Sequence, residues 1–277
     1  MATVITALDG PTAYLALIDR IRRVGVHRSP RGEETRDLGY TVLEIEDPTR
    51  ATPLGVGRGV SRNIIAAEAI QLVGAFSDPG LLPGASFAPY RERDGRFWGA
   101  YGDRIGYQLL DVVHKLKTDA STRRAVISLW DPRLDNVDYK NDYPCTVMLQ
   151  FEHDDDGRLC LNVIMRSNDA WLGTPYDLAQ FSVLLQTAAT LVGRPVGWYR
   201  HTALSLHLYE RDVIKTFEKL HTEPEEVAGD SFPRGLARPG DTALQAIQRI
   251  RKLPYVDGHY LVQEHWYREA LKPAVVG

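Results

Sequence analysis

The chain has 277 residues and carries 33 Lys and Arg against 36 Asp and Glu, a formal net charge of -3. That length buries a substantial core and lies near the upper bound for one compact domain, so a single domain over residues 1–277 is expected. The near-neutral balance gives no global attraction to nucleic acid or an anionic membrane, and two cysteines, Cys145 and Cys160, leave neither a disulfide scaffold nor a paired metal spacing.

No metal is therefore expected, and a reducing, cytoplasmic setting fits best. At the N-terminus, Asp9 and Asp19 interrupt short apolar runs. The segment reads neither as a signal peptide nor as a membrane span.

In chain order, residues 12–24 place Tyr14, Leu17, Ile18, Ile21 and Val24 at helical spacing, with Gly25 as the stop. Residues 39–46 alternate like a strand. Residues 63–73 (NIIAAEAIQLV) are rich in helix formers and apolar enough to be buried. Residues 103–116 predict an amphipathic helix, and 124–130 (RAVISLW) a β-branched strand stopped by Asp131-Pro132. Residues 145–153 and 159–166 predict two strands joined by the turn DDDG, a hairpin. Residues 176–192 follow Pro175 and are apolar on most sides, which predicts a central buried helix. Residues 223–240 predict a polar, Gly/Pro-containing surface excursion. Neighbouring antiparallel strands mixed with helices favour an α+β fold.

Chemistry gathers between residues 145 and 209. Cys145 in DYPCTVM sits at the mouth of a strand behind a proline, where a side chain is held rigidly. A thiol becomes strongly nucleophilic where a cation favours the thiolate, and Arg166 lies across the predicted hairpin. Taken alone, Cys145 reads as a small buried hydrophobe. Arg166-Ser167 offers a guanidinium fork and a hydroxyl suited to phosphate. Arg123 and Arg124 open a strand on opposite faces, so one can face a ligand while the other packs or pairs.

YPC, RSND-x3-G-x-P-x-D-L and HLY, in this order and spacing, resemble the cysteine, nucleotide and sugar motifs of thymidylate synthases and their hydroxymethylase relatives. GAYGDRIG, LKTDASTRRAVISLWDP and, more loosely, PRGEETRDL extend the likeness over about residues 28–210. The resemblance implies a thymidylate synthase-type fold, a mixed sheet flanked by helices that dimerises through sheet faces. It implies that Cys145 attacks carbon 6 of a pyrimidine nucleotide and that 5,10-methylenetetrahydrofolate is the one-carbon donor. Arg31, Arg166 and Ser167 would hold the 5′-phosphate, with Arg123 and Arg124 reaching it from the other subunit. His207 and Tyr209 would bind the sugar, Asp169 the pterin, and Tyr101 would lie beside the nucleophile. The partners implied are a nucleotide, a folate and a second copy of the chain, with no nucleic acid and no membrane.

Three departures from the synthases carry chemistry. Where they place asparagine this chain has Asp177, whose carboxyl accepts from the exocyclic amine of cytosine and, protonated, gives a hydrogen to N3. Asp177 can also be read as a helix N-terminal acid favoured by the dipole. The segment SFAPYRERDGRF lacks the tryptophans that shield the exocyclic methylene intermediate, so water rather than hydride would reach it; the competing account is that Phe87 or Tyr90 fills the same space beside the folate. Thr146 stands where many synthases carry histidine.

A general acid/base glutamate is expected on NIIAAEAIQLV, where an ungapped match from Arg62 to Gly74 puts Ala67 at its place and Glu68 one residue on. One residue is about 100° of helix, so register decides. Glu68 is the expectation, because a carboxylate in so apolar a helix needs a purpose or a partner; a salt bridge is the competing account. The combined reading is hydroxymethylation of a cytidine monophosphate, dCMP or CMP, with reductive methylation of a pyrimidine nucleotide as the alternative.

Overall fold

The computed structural model describes residues 2–82 and 87–253. The first half runs β1 (Thr3–Ala7), α1 (Gly10–Val24), β2 (Val26–Arg28), β3 (Thr35–Ile45), α2 (Arg62–Gly74), α3 (Tyr101–Ile105), α4 (Gln108–Thr118), β4 (Val126–Ser128) and α5 (Pro132–Asp135). The second runs β5 (Thr146–His153), β6 (Leu159–Met165), β7 (Asn168–Asp169), α6 (Thr174–Val192), β8 (Val196–Tyr209), α7 (Glu210–Lys219) and α8 (Ala243–Lys252).

The strands form one mixed sheet with the path β1-β3-β8-β6-β5-β4; β2 joins β3, and β7 joins β8. β1 is parallel to β3 and β6 to β8, while β3 and β8, β5 and β6, and β4 and β5 pair antiparallel. The expected α+β architecture, a mixed sheet with helices against it, is thus present. β5 and β6 make the expected hairpin, with Leu149 opposite Val163 and Phe151 opposite Leu161. Buried residues of β5, β6 and β8 alternate with half-buried ones such as Met148, Gln150, Asn162, Ile164, Trp198 and Arg200. That second face carries mixed polarity.

Helix α6 is the spine of the core. Leu178, Phe181, Val183, Leu184 and Leu185 are fully buried, and each such side chain contributes about 1.5–3 kcal/mol of apolar burial. Helices α2 and α4 pack against it. Helix α1 begins earlier than its periodicity shows, because Asp9 Oδ1 accepts from Thr12 N at 3.0 Å and Pro11 occupies the first turn.

Three sequence expectations need correction. Residues 103–116 are not one helix: Gly106, at φ 45°, separates α3 from α4. The strand expected over 124–130 shrinks to β4, so Arg123 and Arg124 precede it and both are exposed instead of alternating across it. Residues 223–240 lack regular structure apart from one short turn, yet Phe232, Leu236 and Ala237 are buried and tie the excursion down. Ser86, in the segment read for missing tryptophans, lies outside the described residues.

Candidate active site

Strand ends build the site. Arg166 N donates to the Cys145 carbonyl at 2.8 Å, which closes the mouth of the β5–β6 hairpin and sets the two side chains side by side. Arg166 Nη2 lies 4.0 Å from Cys145 Sγ, while its Nε donates to the Pro144 carbonyl at 3.0 Å. At the far end of β8, His207 and Tyr209 share a face, with ring centroids 5.2 Å apart. There β3 sets Asp37 opposite His207 and Thr35 opposite Tyr209, and β7 sets Asp169 opposite His207.

These ends enclose one cavity of about 790 Å³, a size suited to a bound small molecule. Cys145, Glu68, Tyr101, Asp177, Arg31, Arg166, Ser167, Asp169, His207, Tyr209 and Phe87 all line it. Arg123 and Arg124 do not line it. Arg31 sits in a short turn at φ 56°, a left-handed conformation unusual for arginine.

Of the two positions Ala67 and Glu68, the cavity is lined by Glu68. Glu68, Gln71 and Leu72 face it at i, i+3 and i+4, whereas Ala67 is packed in the core. Glu68 Oε2 has no hydrogen-bond partner among the described residues, which leaves the salt-bridge account without support. Burial, and after it the neighbouring charge of Asp177, push the Glu68 carboxyl up to about 8.

Asp177 lies in the first turn of α6 and is 7% exposed. Its Oδ2 accepts from Asn168 Nδ2 at 2.8 Å and its Oδ1 from Gln180 Nε2 at 3.1 Å. Burial pushes it up to about 7, against those two hydrogen bonds and with the help of Asp169. It is held within the fold, which is more than a helix-end acid needs. A Cβ on Gly173 would come within 3.1 Å of Asn168 Nδ2 and 3.3 Å of Asp177 Oδ2, so a larger residue there would press on this contact.

Burial works against the Cys145 thiolate. Burial pushes Cys145 up to about 11, Arg166 opposes that, and Asp177, Asp142 and Asp169 add to it. The Tyr101 hydroxyl accepts from Thr146 N at 3.2 Å, next to the thiol, and its ring stacks on Phe181 at 5.9 Å. Asp169 Oδ1 accepts from Trp171 N and Leu172 N at 2.7 and 3.0 Å, and burial raises its pKa. No tryptophan lines the cavity among the described residues. Trp98 turns away, its Nε1 donating to Asp135 at 3.1 Å, while Phe87, Tyr90 and Leu172 supply the apolar wall.

Sequence reasoning did not single out Gln71, Asp142, Asn168, Gln180 and Arg211, which also line the cavity. Burial pushes Asp142 up to about 6. Arg211 stacks on Tyr209 at 3.9 Å and pairs with Glu33 at 2.7 Å. Asn168 lies inside the RSND motif and Arg211 two residues past HLY, while Gln71 and Gln180 are marked by being polar within the apolar helices α2 and α6. No group of three or more His, Cys, Asp or Glu able to hold a metal ion occurs among the described residues.

Comparison with known sequences agrees with this geometry. Residues 87–232 match the family described as thymidylate synthase. A deoxyuridylate hydroxymethyltransferase of Bacillus phage SP01 is 33% identical over 219 residues, 72% of this chain and 57% of that protein. Thymidylate synthases from two strains of Listeria monocytogenes are 32% identical over 121 and 120 residues, 43% of this chain and 37% of theirs. The chain thus spans between about a third and somewhat over half the length of the curated relatives it matches.

Proposed function

The chain belongs to the thymidylate synthase family, and on that premise we propose that it transfers a hydroxymethyl group to carbon 5 of a cytidine monophosphate. The observation that carries this reading is the convergence of Cys145, Glu68 and Asp177 on one cavity whose mouth holds Arg166 and Arg31.

Cys145 would add to carbon 6 of the ring, sending electron density toward carbon 5 and the N3–C4 edge. Arg166 favours the thiolate as the buried thiol gives up its proton. Asp177 meets the N3–C4 edge and supplies a hydrogen where charge develops. Glu68, its carboxyl held protonated by burial and its Oε2 without a hydrogen-bond partner among the described residues, takes and returns protons at the reacting carbons. Arg31, Arg166 and Ser167 hold the 5′-phosphate, Arg123 and Arg124 complete it from a second subunit, and His207 with Tyr209 holds the sugar.

The apolar wall of Phe87, Tyr90 and Leu172 beside Asp169 suits a pterin, and 5,10-methylenetetrahydrofolate would supply the one-carbon unit. With no tryptophan on that wall among the described residues, water rather than hydride completes the product. The phage relative, a hydroxymethyltransferase by name, supports this outcome.

A second reading takes uridylate as substrate. The same relative's name specifies deoxyuridylate, and a protonated carboxyl presents the donor and acceptor pair of an amide. Incubation with dCMP, CMP and dUMP plus the methylene folate, followed by mass spectrometry, separates the readings. The expected product is a cytidylate heavier by one formaldehyde unit, without dihydrofolate. Methylated deoxyuridylate as sole product defeats both the base and the water assignments.

A further inference from the structure

A carboxylic acid, unlike an amide, has no fixed donor end. With its hydrogen on one oxygen it matches the N3 and amino edge of cytosine; with it on the other, the N3–H and O4 edge of uracil. An Asp177 free to choose would read both bases.

The two Asp177 oxygens are not equivalent. Asn168, which donates to Oδ2, is held on its other side: its own Oδ1 accepts at 2.6 Å from the Thr174 hydroxyl, which also lies 3.2 Å from the Asp169 carbonyl, and sits 3.0 Å from His201 Nε2. An amide oxygen only accepts, so His201 Nε2 carries a hydrogen. Burial depresses His201 to about 3 and keeps it neutral, so its Nδ1 is a lone pair. That lone pair takes the hydrogen of the Tyr199 hydroxyl, 2.8 Å away. Tyr199 is fully buried, and His201 is its one side-chain hydrogen-bond partner among the described residues. Reversing the chain would leave that hydroxyl hydrogen without an acceptor. Gln180, by contrast, makes only its bond to Oδ1 among the described residues, and can yield to a hydrogen there.

We propose that Tyr199, His201 and Asn168 form a positioning relay that keeps hydrogen off Asp177 Oδ2, leaves Oδ1 as its seat, and so restricts the site to one pyrimidine edge. The proposal rests on the reading of Asp177 as the base-contacting residue. Glu68 from α2, Asp169 from β7, Tyr101 from α3, Tyr199 from β8 and Cys145 also lie in the field of Asp177. Of these, Asp169 raises the proton affinity of the whole carboxyl while the others keep their own protons, and none of them chooses between its oxygens. The choice falls to the hydrogen bonds.

Two measurements on the full chain test the relay. The first is the ratio of kcat/KM for the preferred base over the other, cytidylate against uridylate. In Tyr199→Phe it is expected to fall at least about tenfold, by loss of one fixed hydrogen-bond polarity. The second needs no turnover: carbon-13 NMR of the ligand-free protein, with the Asp177 signal assigned through Asp177→Asn. Once Asn168 can turn, Asp177 should bind its proton about tenfold more tightly. Thr174→Val, which removes the second donor on the Asn168 oxygen, should move both readouts the same way, and it serves if Tyr199→Phe does not fold. A folded variant with unchanged ratio and unchanged titration overturns the relay, as does a native protein that does not discriminate between the bases. A native preference for uridylate defeats the cytosine assignment alone, since the ratio should collapse whichever base is preferred.

Discussion

Arg166 Nη2 lies 4.0 Å from the Cys145 sulfur, and the same guanidinium is tied through Nε to the carbonyl of Pro144, the residue just before the cysteine. The cation cannot leave without disturbing the nucleophile. It still does not outweigh burial, which pushes the thiol up to about 11. Cys145 should therefore react with iodoacetamide at pH 8 roughly a hundredfold more slowly than a free thiol, in proportion to its thiolate fraction. Cys145→Ser should abolish turnover and adduct formation with a 5-fluoropyrimidine nucleotide while leaving nucleotide binding by calorimetry in place. A retained adduct would remove Cys145 from the mechanism.

Glu68 gives stability a pH dependence of known sign. Its folded pKa of about 8 lies above the ordinary glutamate value of 4.5, so between those values the folded state binds more protons than the unfolded one. Stability from this group is complete below about pH 4.5 and is lost as pH rises through 8. Glu68→Gln should therefore be more stable than the native protein at pH 9, by on the order of 2 kcal/mol after allowance for its access to the cavity, and indistinguishable near pH 4. Thermal melts at the two pH values check this; a constant difference would show that Glu68 does not titrate as described.

Replacing Asp177 by asparagine restores the fixed amide of the synthases. Asp177→Asn should shift kcat/KM from cytidylate toward uridylate by about a hundredfold or more, because one buried hydrogen bond becomes a repulsion. Competition assays with mixed substrates report the shift directly. Equal losses on both bases would mean that Asp177 only supports the fold.

Arg123 and Arg124 are exposed and outside the cavity of their own subunit. If they complete the site of a second copy, Arg124→Ala and Cys145→Ala are each inactive alone. Mixed after unfolding and refolding, they should regain about a quarter of native activity, since half the dimers then carry one intact site of two. No regain would place these arginines elsewhere.

Arg104 and Asp135 form a buried ion pair at 2.6 Å, with side-chain exposures of 10% and 0%. Trp98 Nε1 also donates to Asp135 at 3.1 Å. Asp135→Ala leaves a guanidinium buried and unpaired, at a cost of about 3–5 kcal/mol. A melting temperature about 10 °C lower is expected for a chain of this size, with the pH dependence of any remaining activity unchanged.

Much of the fold was legible in local pattern. Period and punctuation marked α1, α2, α6 and the β5–β6 hairpin, because each buries a face that its own residues define. The short motifs brought Cys145, Arg166, Asp169, Asp177, His207 and Tyr209 to notice, since each sits at a strand end or helix start where spacing along the chain is spacing in the site. Strands β1 and β2 were not legible, because they are short and owe their existence to pairing with β3. The break at Gly106 was hidden for the same kind of reason: its pattern is helical and its backbone is not.

Sequence alone brought the candidate side chains to notice; only tertiary structure decided how each is set. Ala67 and Glu68 differ by about 100° of helix, and nothing within α2 says which way the cavity lies. Tyr199, His201 and Asn168 come from two strands and reach Asp177 on a helix, so their order exists only once β7 lies beside β8. Composition can supply a carboxyl, but its proton affinity and the oxygen that carries the hydrogen depend on lost water and fixed neighbours, and both arrive only with packing.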